Sequence, residues 1–457
     1  MKELDRKQGV QSESAVLVGV ELPDRQTARD NLAELAGLVE TAGTEVVGRL
    51  TQRRTTPDQT TYLGKGKVEQ LVLMVRATDA DAVIFDNNLS PAQTRNLERE
   101  LGVKVLDRTE VILDIFSTRA QTHEARLAVE LAQLEYSLPR LKRLWTHLSR
   151  IKAGVGMRGP GEKQLETDRR LVERRIVELR GELQRVLRRK EREVAARSDH
   201  MTVSLVGYTN AGKSTLLNKL TGADELAVDK LFATLDTRTR RWQLPGWGPV
   251  LLSDTVGFIR DLPHSLIASF KATLEEARQA DLLLHVADAS NPAAMEQIAA
   301  VYTVLEELGI REKDMILVLN QIDAIEEPGT LEMLKQRYPM AIPISARTGE
   351  GLGRLAATVS DALTQHFLDV DVETEVSNGR LLAALAKHGE ILSRTYANDR
   401  VSVHCRMPRK YLGQISADEA QIRLRSSGQV FERNGNGHAI AIGEAAYRNG
   451  ESIDEVA

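Results

Sequence analysis

The stretch Gly207-Tyr208-Thr209-Asn210-Ala211-Gly212-Lys213-Ser214 decides the fold of this chain, and it directly follows the apolar residues 203–206. A predicted strand, the pattern Gly-x-x-x-x-Gly-Lys-Ser and a helical pattern from Thr215 place backbone N–H groups around a polyphosphate. Lys213 can then reach the terminal phosphates as a point charge, and the Ser214 hydroxyl can ligate Mg²⁺. The stretch therefore predicts a phosphate-binding loop.

Two later segments supply the residue types that a γ-phosphate and a magnesium ion require. Asp254-Thr255-Val256-Gly257 ends a predicted strand, where Asp254 can hold Mg²⁺ through water and the Gly257 N–H can contact the γ-phosphate. Thr234, within Phe232-Ala233-Thr234-Leu235-Asp236, lies in the connection from which a hydroxyl must reach the same ion. The predicted metal ligands are Ser214, Thr234 and Asp254, and the predicted catalytic residues are Lys213, Thr234 and Gly257.

Two further segments predict which base is bound. Asn320-Gln321-Ile322-Asp323 follows a buried strand, and the Asp323 carboxylate can accept two N–H donors from the Watson–Crick edge of guanine, whereas adenine presents one there. Ser345-Ala346-Arg347 follows the last predicted strand, where a backbone N–H can contact the guanine oxygen. The predicted contacts with GTP or GDP are Gly207, Tyr208, Thr209, Asn210, Ala211, Gly212, Lys213, Ser214, Thr215, Phe232, Ala233, Thr234, Asp254, Thr255, Val256, Gly257, Asn320, Gln321, Asp323, Ser345, Ala346 and Arg347.

Length and composition are those of a globular protein of several domains. The 457 residues correspond to about three domains, each long enough to bury its own core. The formal net charge of −4 excludes a uniformly basic nucleic-acid binder, so a polyanion site must be a local patch. The single cysteine, Cys405, cannot form an internal disulfide. No apolar run approaches roughly 18 residues, so we expect a soluble, cytoplasmic protein.

Residues 1–118 alternate predicted strands and helices, which is typical of a small α/β domain. Predicted strands lie at residues 15–20, 44–50, 82–86 and 103–106, and Ser90-Pro91 opens a helix with a cap and a proline at its first position. Gly64-Lys65-Gly66-Lys67 precedes another helix and could hold a phosphate. The motif is too short to be specific, and a solvated turn is the favoured interpretation.

Residues 119–198 predict an antiparallel coiled-coil helical hairpin, which we call the arm. Apolar residues alternate in steps of four and three from Leu127 to Leu148 and again from Val172 to Val186, the spacing of two packed seams. The glycine-rich residues 153–161 between the seams end one helix and let the chain reverse. Two helices of about 25 residues extend about 40 Å, and Pro139 predicts a kink in the first.

The predicted tip of the arm, including a basic loop at residues 153–163, has a strong charge bias. Between residues 138 and 163 a single acid, Glu162, opposes a set of basic residues. That set is Arg140, Lys142, Arg143, Arg150, Lys152, Arg158 and Lys163. A glycine-rich basic loop suits a phosphate backbone better than a merely soluble tip, so we expect contact with nucleic acid. The RNA-contact candidates are Arg150, Lys152, Arg158 and Lys163.

The remaining chain predicts a second α/β domain and a small C-terminal domain. Residues 199–366 alternate buried strands and helices around the phosphate loop, as in a P-loop GTPase domain with a doubly wound, mostly parallel sheet. Residues 367–424 predict a small α+β domain, and the Gly-, Asn- and Ser-rich residues 425–457 a flexible tail. The predicted fold class is thus α/β, interrupted by the helical hairpin.

These residues together resemble the HflX family of translational GTPases. Beside the GTPase segments, the resemblance rests on residues 63–67, on Leu89-Ser90-Pro91-Ala92-Gln93, on residues 154–162 and on Leu165-Glu166-Thr167-Asp168, and it covers about residues 15–420. It implies a GTPase that uses GTP, GDP and Mg²⁺, binds the large ribosomal subunit and separates the subunits of stalled ribosomes. We expect the protein to be monomeric. It also implies that the arm contacts ribosomal RNA near the peptidyl-transferase region.

Two residues qualify this expectation. Gln321 replaces the lysine of the family pattern Asn-Lys-x-Asp, whose stem packs over the base, so affinity and the use of ATP are left open. Phe258 follows Gly257 where Ras-like enzymes carry a water-orienting glutamine, as in the rest of the family, so we expect slow intrinsic hydrolysis that a ribosomal surface stimulates. The alternative is a ribosome assembly or RNA-binding factor in which the nucleotide is mainly a conformational effector.

Overall fold

The fold is described from a computed structural model of the chain. It describes residues 13–23, 31–144, 160–195, 201–223, 231–232, 237–245, 248–260, 275–310, 314–327, 329–365, 367–412, 415, 420–425, 430–433 and 439–442. These residues form two compact units. The first holds described residues of Met1–Ala195, Thr202–Gln243 and Pro249–Arg354, and the second those of Ala196–Met201, Leu244–Gly248 and Leu355–Ala457.

The chain begins with a four-stranded parallel sheet in the order β2-β1-β3-β4. Its elements are β1 (Ser14–Glu21), α1 (Asn31–Ala42), β2 (Glu45–Arg53), α2 (Lys65–Thr78), β3 (Ala82–Phe85), α3 (Pro91–Leu101), β4 (Lys104–Asp107) and α4 (Arg108–Arg119). Strands β1 and β3 are buried over nearly their whole length, as expected of parallel strands with helices on both faces. The predicted α/β fold is thereby confirmed for this part.

Helix α3 begins as its sequence predicts. The Ser90 hydroxyl accepts a hydrogen bond from the Gln93 N–H, and the Gln93 side chain accepts one from the Ser90 N–H. This reciprocal capping box satisfies two backbone donors, and Pro91 occupies the first turn, where no intrahelical donor is needed.

The arm consists of α5 (His123–Leu144) and α6 (Pro160–Ala195). Their buried seam contains Leu127, Leu131, Ile176, Leu179 and Leu183, the positions that the spacing predicts. The helices are antiparallel, because Glu124 pairs with Lys190 whereas Glu135, further along α5, pairs with Arg180, further back on α6. Helix α6 has 36 residues, so it is longer than the sequence predicts and already includes residues 160–163 of the predicted loop.

A polar cluster around the buried Asp107 fixes α5, the first helix of the arm, to the first sheet. Asp107 caps α4 by accepting the Glu110 N–H, and it also accepts hydrogen bonds from the Tyr136 hydroxyl and from Arg140, both on α5. Arg140 Nη2 lies 3.0 Å from Asp107 Oδ2, and Arg140 Nε lies 3.4 Å from Glu110 Oε1. The assignment of Arg140 to the basic tip is therefore wrong, because its charge is paired with the carboxylates of Asp107 and Glu110.

The side chains of the four RNA-contact candidates cannot be placed. Arg150, Lys152 and Arg158 lie outside the described residues, and for Lys163 only the helical backbone is described. Their predicted contact with nucleic acid stays a prediction.

The second sheet is doubly wound and has the order β10-β9-β8-β5-β7-β6. Its elements are β5 (Thr202–Gly207), α7 (Lys213–Thr221), β6 (Arg238–Leu244), β7 (Gly248–Asp254), β8 (Leu282–Asp288), α8 (Ala294–Glu307), β9 (Met315–Asn320), α9 (Thr330–Arg337), β10 (Ile342–Pro343) and α10 (Leu352–Gln365). Strand β5 pairs in parallel with β7 and β8, and β9 pairs in parallel with β8 and β10. Pro343 lies on an edge strand, where its missing N–H is tolerated.

The third sheet is antiparallel and has the order β12-β13-β11-β14-β15-β16. Its elements are β11 (Phe367–Glu375), α11 (Gly379–His388), β12 (Glu390–Ala397), β13 (Arg400–Pro408), α12 (Arg409–Leu412), β14 (Ala420–Leu424), β15 (Val430–Arg433) and β16 (Ala439–Ile442). Strands β15 and β16 pair where the sequence predicts a flexible tail, so the sheet continues past residue 424. Cys405 is buried in β13.

Among the described residues, none of the helices combines the length and apolarity that crossing a membrane requires.

The contact of Glu110 on α4 with Arg140 on α5 predicts a pH-dependent stability. Burial, together with the nearby Asp107 carboxylate, raises the pKa of Glu110 to about 7, although Arg140 opposes the shift. Because the folded-state pKa lies above the ordinary value, ionisation of Glu110 destabilises the fold as pH rises from about 4.5 through about 7. When the pH is raised from 5.5 to 8, the unfolding free energy of Glu110→Gln should therefore rise by about 2 kcal/mol relative to that of the wild type.

Urea unfolding of both proteins at the two pH values measures this difference. Glu100→Gln removes a glutamate with a half-exposed side chain from α3 and is the matched control. An identical pH trend in Glu110→Gln and the wild type would contradict the assignment.

Candidate nucleotide-binding site

The phosphate-binding loop connects β5 to α7 at the carboxyl end of the second sheet. Gly212, the residue before α7, has φ +83°, and it provides no side-chain cap. The first N–H groups of α7 therefore point out of a helix N-terminus that favours anions. A Cβ on Gly212 would lie 2.4 Å from Asn320 Nδ2, so only glycine fits here.

Lys213 and Ser214 lie at the start of α7 and face the loop and β7. Lys213 Nζ donates to the carbonyl oxygens of Gly207 and Tyr208, at 3.2 and 2.8 Å. Burial lowers the pKa of Lys213 to about 8, while the charge of Asp254 works in the opposite direction. Ser214 Oγ donates to Asp254 Oδ2 at 2.6 Å. The loop thus brings a lysine, a hydroxyl and a buried carboxylate together.

The segment after Asp254 lies directly against the phosphate loop. The Phe258 N–H donates to the Gly207 carbonyl at 3.0 Å, and the Thr209 N–H donates to the Phe258 carbonyl at 2.7 Å. A Cβ on Gly257 would lie 2.7 Å from Thr209 Cα and 3.1 Å from Lys213 Nζ. Phe258 itself is 4% exposed and packs in the hydrophobic core.

The connection that contains Thr234 is described at residues 222–223, 231–232 and 237. The Phe232 N–H donates to Thr209 Oγ1 at 2.8 Å, and the Phe232 ring packs edge-on against Phe116 with centroids 4.5 Å apart. Ala233 and Thr234 lie outside the described residues. The predicted role of the Thr234 hydroxyl therefore stays a prediction.

The base-recognition segment is tied to the phosphate loop by side-chain amides. Asn320 Nδ2 donates to the Ala211 carbonyl at 2.9 Å, and Asn320 Oδ1 accepts the Ala346 N–H at 2.9 Å. Gln321 has φ +62°, and its Nε2 donates to the Asn210 carbonyl at 3.0 Å. Gln321, which departs from the family pattern, thus still joins the base-recognition segment to the phosphate loop, although it lacks the positive charge of a lysine.

Asp323 follows in a short 3-10 helix, Ile322–Ala324. Asp323 Oδ2 lies 3.7 Å from Arg347 Nε, an ion pair in which Arg347 is largely exposed. Ser345 and Ala346 are buried beside Asn320. The described residues that the sequence predicts for the base therefore converge on one end of the sheet.

Four residues of the site are missed by the motifs. Glu34, Asp86 and Arg108 belong to the first sheet and its helices, and Arg260 follows Phe258. Arg108 Nη1 lies 2.8 Å from Asp86 Oδ1, and Arg108 Nη2 lies 3.1 Å from Glu34 Oε2. Asp86 and Arg108 directly follow β3 and β4, so their placement at one sheet edge could have been predicted from the strand pattern.

These residues reach the phosphate loop through Tyr208. The Tyr208 hydroxyl donates to Glu34 Oε1 and accepts the Arg260 N–H at 2.7 Å. Arg260 Nη2 lies 3.1 Å from Asp86 Oδ2 and 3.5 Å from Glu34 Oε2. Burial and the Glu34 charge raise the pKa of the Tyr208 phenol, which remains a hydrogen-bond donor. We call Glu34, Asp86, Arg108, Tyr208 and Arg260 the interdomain cluster.

His285 is a second buried titratable group beneath the loop. It lies in β8 opposite Val206 of β5 and is 1% exposed. Burial, aided by the charge of Lys213, lowers the pKa of His285 to about 3. The imidazole therefore stays neutral at physiological pH and adds no second positive charge beside Lys213.

The strand, loop, helix and base-recognition segment define a P-loop protein of the GTPase class. Three family models match the chain along its length. The model described as "GTP-binding GTPase N-terminal" matches residues 29–117, "GTP-binding GTPase Middle Region" matches 119–197, and "50S ribosome-binding GTPase" matches 202–321.

Relatives that align over most of the chain show the family to which it belongs. A protein named GTPase HflX from Lacrimispora saccharolytica is 45% identical over 410 residues, covering 89% of this chain and 96% of the relative. GTPase HflX from Escherichia coli K12 is 46% identical over 401 residues, covering 87% and 94%. The chain belongs to the HflX family, and it is a GTPase that binds GTP and GDP.

Among solved structures, the crystal structure of an SsGBP and GDP complex matches at 27% identity and a TM-score of 0.44. It covers 77% of this chain and 99% of that chain. The family assignment rests on the sequence relatives.

The contact between Gly212 and Asn320 predicts a loss of nucleotide affinity in Gly212→Ala. The new Cβ would push the phosphate loop away from the base-recognition segment, so GDP affinity should fall at least tenfold in a fluorescent-GDP titration. Gly222→Ala is the matched control, because Gly222 ends α7 with a similar φ of +68° and a Cβ added there would have nothing within 4 Å. Equal affinities of the two variants would contradict this interpretation.

Proposed function

We propose that this GTPase is a translation factor that binds the large ribosomal subunit and promotes the dissociation of stalled ribosomes. The observation that carries the proposal is the match of residues 202–321 to the family described as "50S ribosome-binding GTPase", within a chain whose relatives are named GTPase HflX. The first sheet and the arm are the proposed contact surfaces. The basic residues of the arm support contact with RNA, because phosphate contacts need cations without competing acids. The place proposed for this contact, near the peptidyl-transferase region, comes from the family resemblance.

The described loops support specific roles in GTP binding. The N-terminus of α7 and the backbone of residues 207–213 bind the phosphates, and Lys213 carries its charge to the terminal phosphates. When Lys213 leaves the carbonyls of Gly207 and Tyr208 for phosphate oxygens, its ammonium exchanges neutral acceptors for anionic ones. Asp323 selects guanine, and Asn320 and Gln321 hold the base-recognition segment against the phosphate loop.

The residues at the start of α7 fit a magnesium ion. Mg²⁺ prefers hard oxygen ligands, and the Ser214 hydroxyl and the fully buried Asp254 carboxylate already adjoin each other. Ser214 and Asp254, with Thr234, are the residues that would hold the ion. Bound there, Mg²⁺ would neutralise charge that develops on the phosphate oxygens.

The site supports slow hydrolysis that a partner accelerates. Phe258 packs in the hydrophobic core, and an apolar ring has no group that can orient an attacking water. A ribosomal surface that supplies or orders such a group would raise the hydrolysis rate.

Substitution of Asp323 tests base recognition. Asp323→Asn should exchange an acceptor for a donor and shift preference from guanine to xanthine nucleotides by at least tenfold, since one hydrogen bond to a charged group is worth about 2 kcal/mol. Competition binding of GTP, XTP and ATP measures the shift, and gained XTP binding shows that the variant is folded. Full retention of GTP preference would refute the role of Asp323.

Multiple-turnover hydrolysis tests the ribosomal part of the proposal. Added large subunits should raise the GTPase rate of the wild type at least tenfold. The variant Arg158→Gln/Lys163→Gln should require a higher concentration of large subunits for the same stimulation. Its affinity for the large subunit should also fall less steeply than that of the wild type as the salt concentration rises. Lys335→Gln/Arg337→Gln removes the same charges from exposed positions on α9 and should behave as the wild type. A rate that added large subunits leave unchanged would overturn the proposal.

A further inference from the structure

The segment 257–260 is held against the phosphate loop by contacts from two directions. Its backbone pairs with Gly207 and Thr209 of the loop. Its last residue, Arg260, binds Tyr208 through its N–H and the carboxylates of Asp86 and Glu34 through its guanidinium. The Arg260 carbonyl accepts a hydrogen bond from Arg108 Nη2 at 3.4 Å. The first sheet and its helices thus determine where this segment lies.

In this position little room separates Lys213 Nζ from Gly257. A Cβ on Gly257 would lie 3.1 Å from Lys213 Nζ, about the length of one hydrogen bond. A γ-phosphate that contacts both the Lys213 ammonium and the Gly257 N–H must stand between them. Because Lys213 also leaves the Gly207 and Tyr208 carbonyls, a γ-phosphate requires a shift of Lys213, of Gly257 or of both, whereas a diphosphate requires neither at this position. The shift of Gly257 is the one that the contacts of residues 257–260 oppose.

The interdomain cluster resists that movement. Arg260 is three residues from Gly257, and its guanidinium shares the carboxylates of Asp86 and Glu34 with Arg108, so two positive groups face two negative groups. Arg108 and Asp86 are 1% and 4% exposed, so their ion pair is shielded from water and their positions are fixed. Withdrawing Arg260 would leave two carboxylates facing a single buried cation.

We propose that Glu34 and Arg260 determine the preference of this GTPase between di- and triphosphate, by favouring the position in which Gly257 contacts the phosphate loop. Both are positioning residues, and Glu34 acts through its contacts with Tyr208 and Arg260. This inference rests on the proposed roles of Lys213 and Gly257. Because coupling is reciprocal, GTP binding weakens the hold of Asp86 and Glu34 on Arg260. The contacts of the first sheet therefore change with the nucleotide state.

Paired substitutions test the preference without leaving an unbalanced buried charge. Glu34→Gln/Arg260→Gln removes one charge of each sign, and Glu130→Gln/Arg175→Gln does the same to a two-contact pair on the arm. In titrations of the full chain with GDP and a non-hydrolysable GTP analogue, the first variant should raise analogue affinity relative to GDP about five- to tenfold. The control should keep the wild-type ratio, and GDP affinity should stay within twofold in both.

The outcomes separate this inference from the proposed function. An unchanged or lowered analogue-to-GDP ratio in Glu34→Gln/Arg260→Gln, with GDP affinity intact, overturns the inference alone. A wild type that binds neither guanine nucleotide overturns the proposed function. If the double variant does not fold, Tyr208→Phe removes only the bridging hydroxyl and should shift the ratio at least twofold in the same direction, and its failure to do so overturns the inference.

Amide exchange gives a readout that a purely structural role would not move. In the wild type, the GTP analogue should increase exchange in peptides around Asp86 and Arg108 more than GDP does. In Glu34→Gln/Arg260→Gln this difference between nucleotides should be lost. Persistence of the difference in the variant would contradict the coupling through these two residues.

Discussion

The arrangement of this protein depends on the pairing of Arg108, a guanidinium that is 1% exposed. Burial works against its charge, but the carboxylates of Glu34 and Asp86 outweigh that cost and raise the pKa of Arg108. Two carboxylates around one cation leave a negative charge to balance, and Arg260 balances it from the nucleotide domain. Ion pairs therefore join the first sheet and its helices to Arg260, in the segment that contacts the phosphate loop.

The parts of the fold that the sequence predicts are those governed by local chemistry. The phosphate loop follows from glycine spacing after a strand, the start of α3 from its Ser90–Gln93 capping box, and the arm from the alternating seam of Leu127, Leu131 and Leu179. Each of these signals depends on residues that are close together along one segment of the sequence. The residue types of the base-recognition segment are as local, and Asn320 and Asp323 lie where their order predicts.

Long-range pairing is what the sequence does not reveal. Glu34 and Tyr208 are 174 residues apart, and neither lies in a pattern that would single it out as a partner of the other. Arg140 belongs to a basic stretch by composition, yet a buried carboxylate 33 residues away uses its charge. Strands β15 and β16 lie in a region rich in Gly, Asn and Ser, and the pairing of β15 with both β14 and β16 places them in the sheet. The hydrogen bond of Gln321 could not be predicted either, because only the folded chain brings its side chain to the Asn210 carbonyl.

A continuous series of contacts joins the phosphate loop to the arm. The phosphate loop contacts residues 257–260, these contact the first sheet, and the Asp107 cluster fixes the arm to that sheet. If guanine nucleotide state governs binding to the ribosome, co-sedimentation with separated subunits tests it most directly. The protein should sediment with the large subunit in the presence of a GTP analogue, and weakly with GDP or without nucleotide. Equal sedimentation in all three states, or preference for the small subunit, would contradict this account.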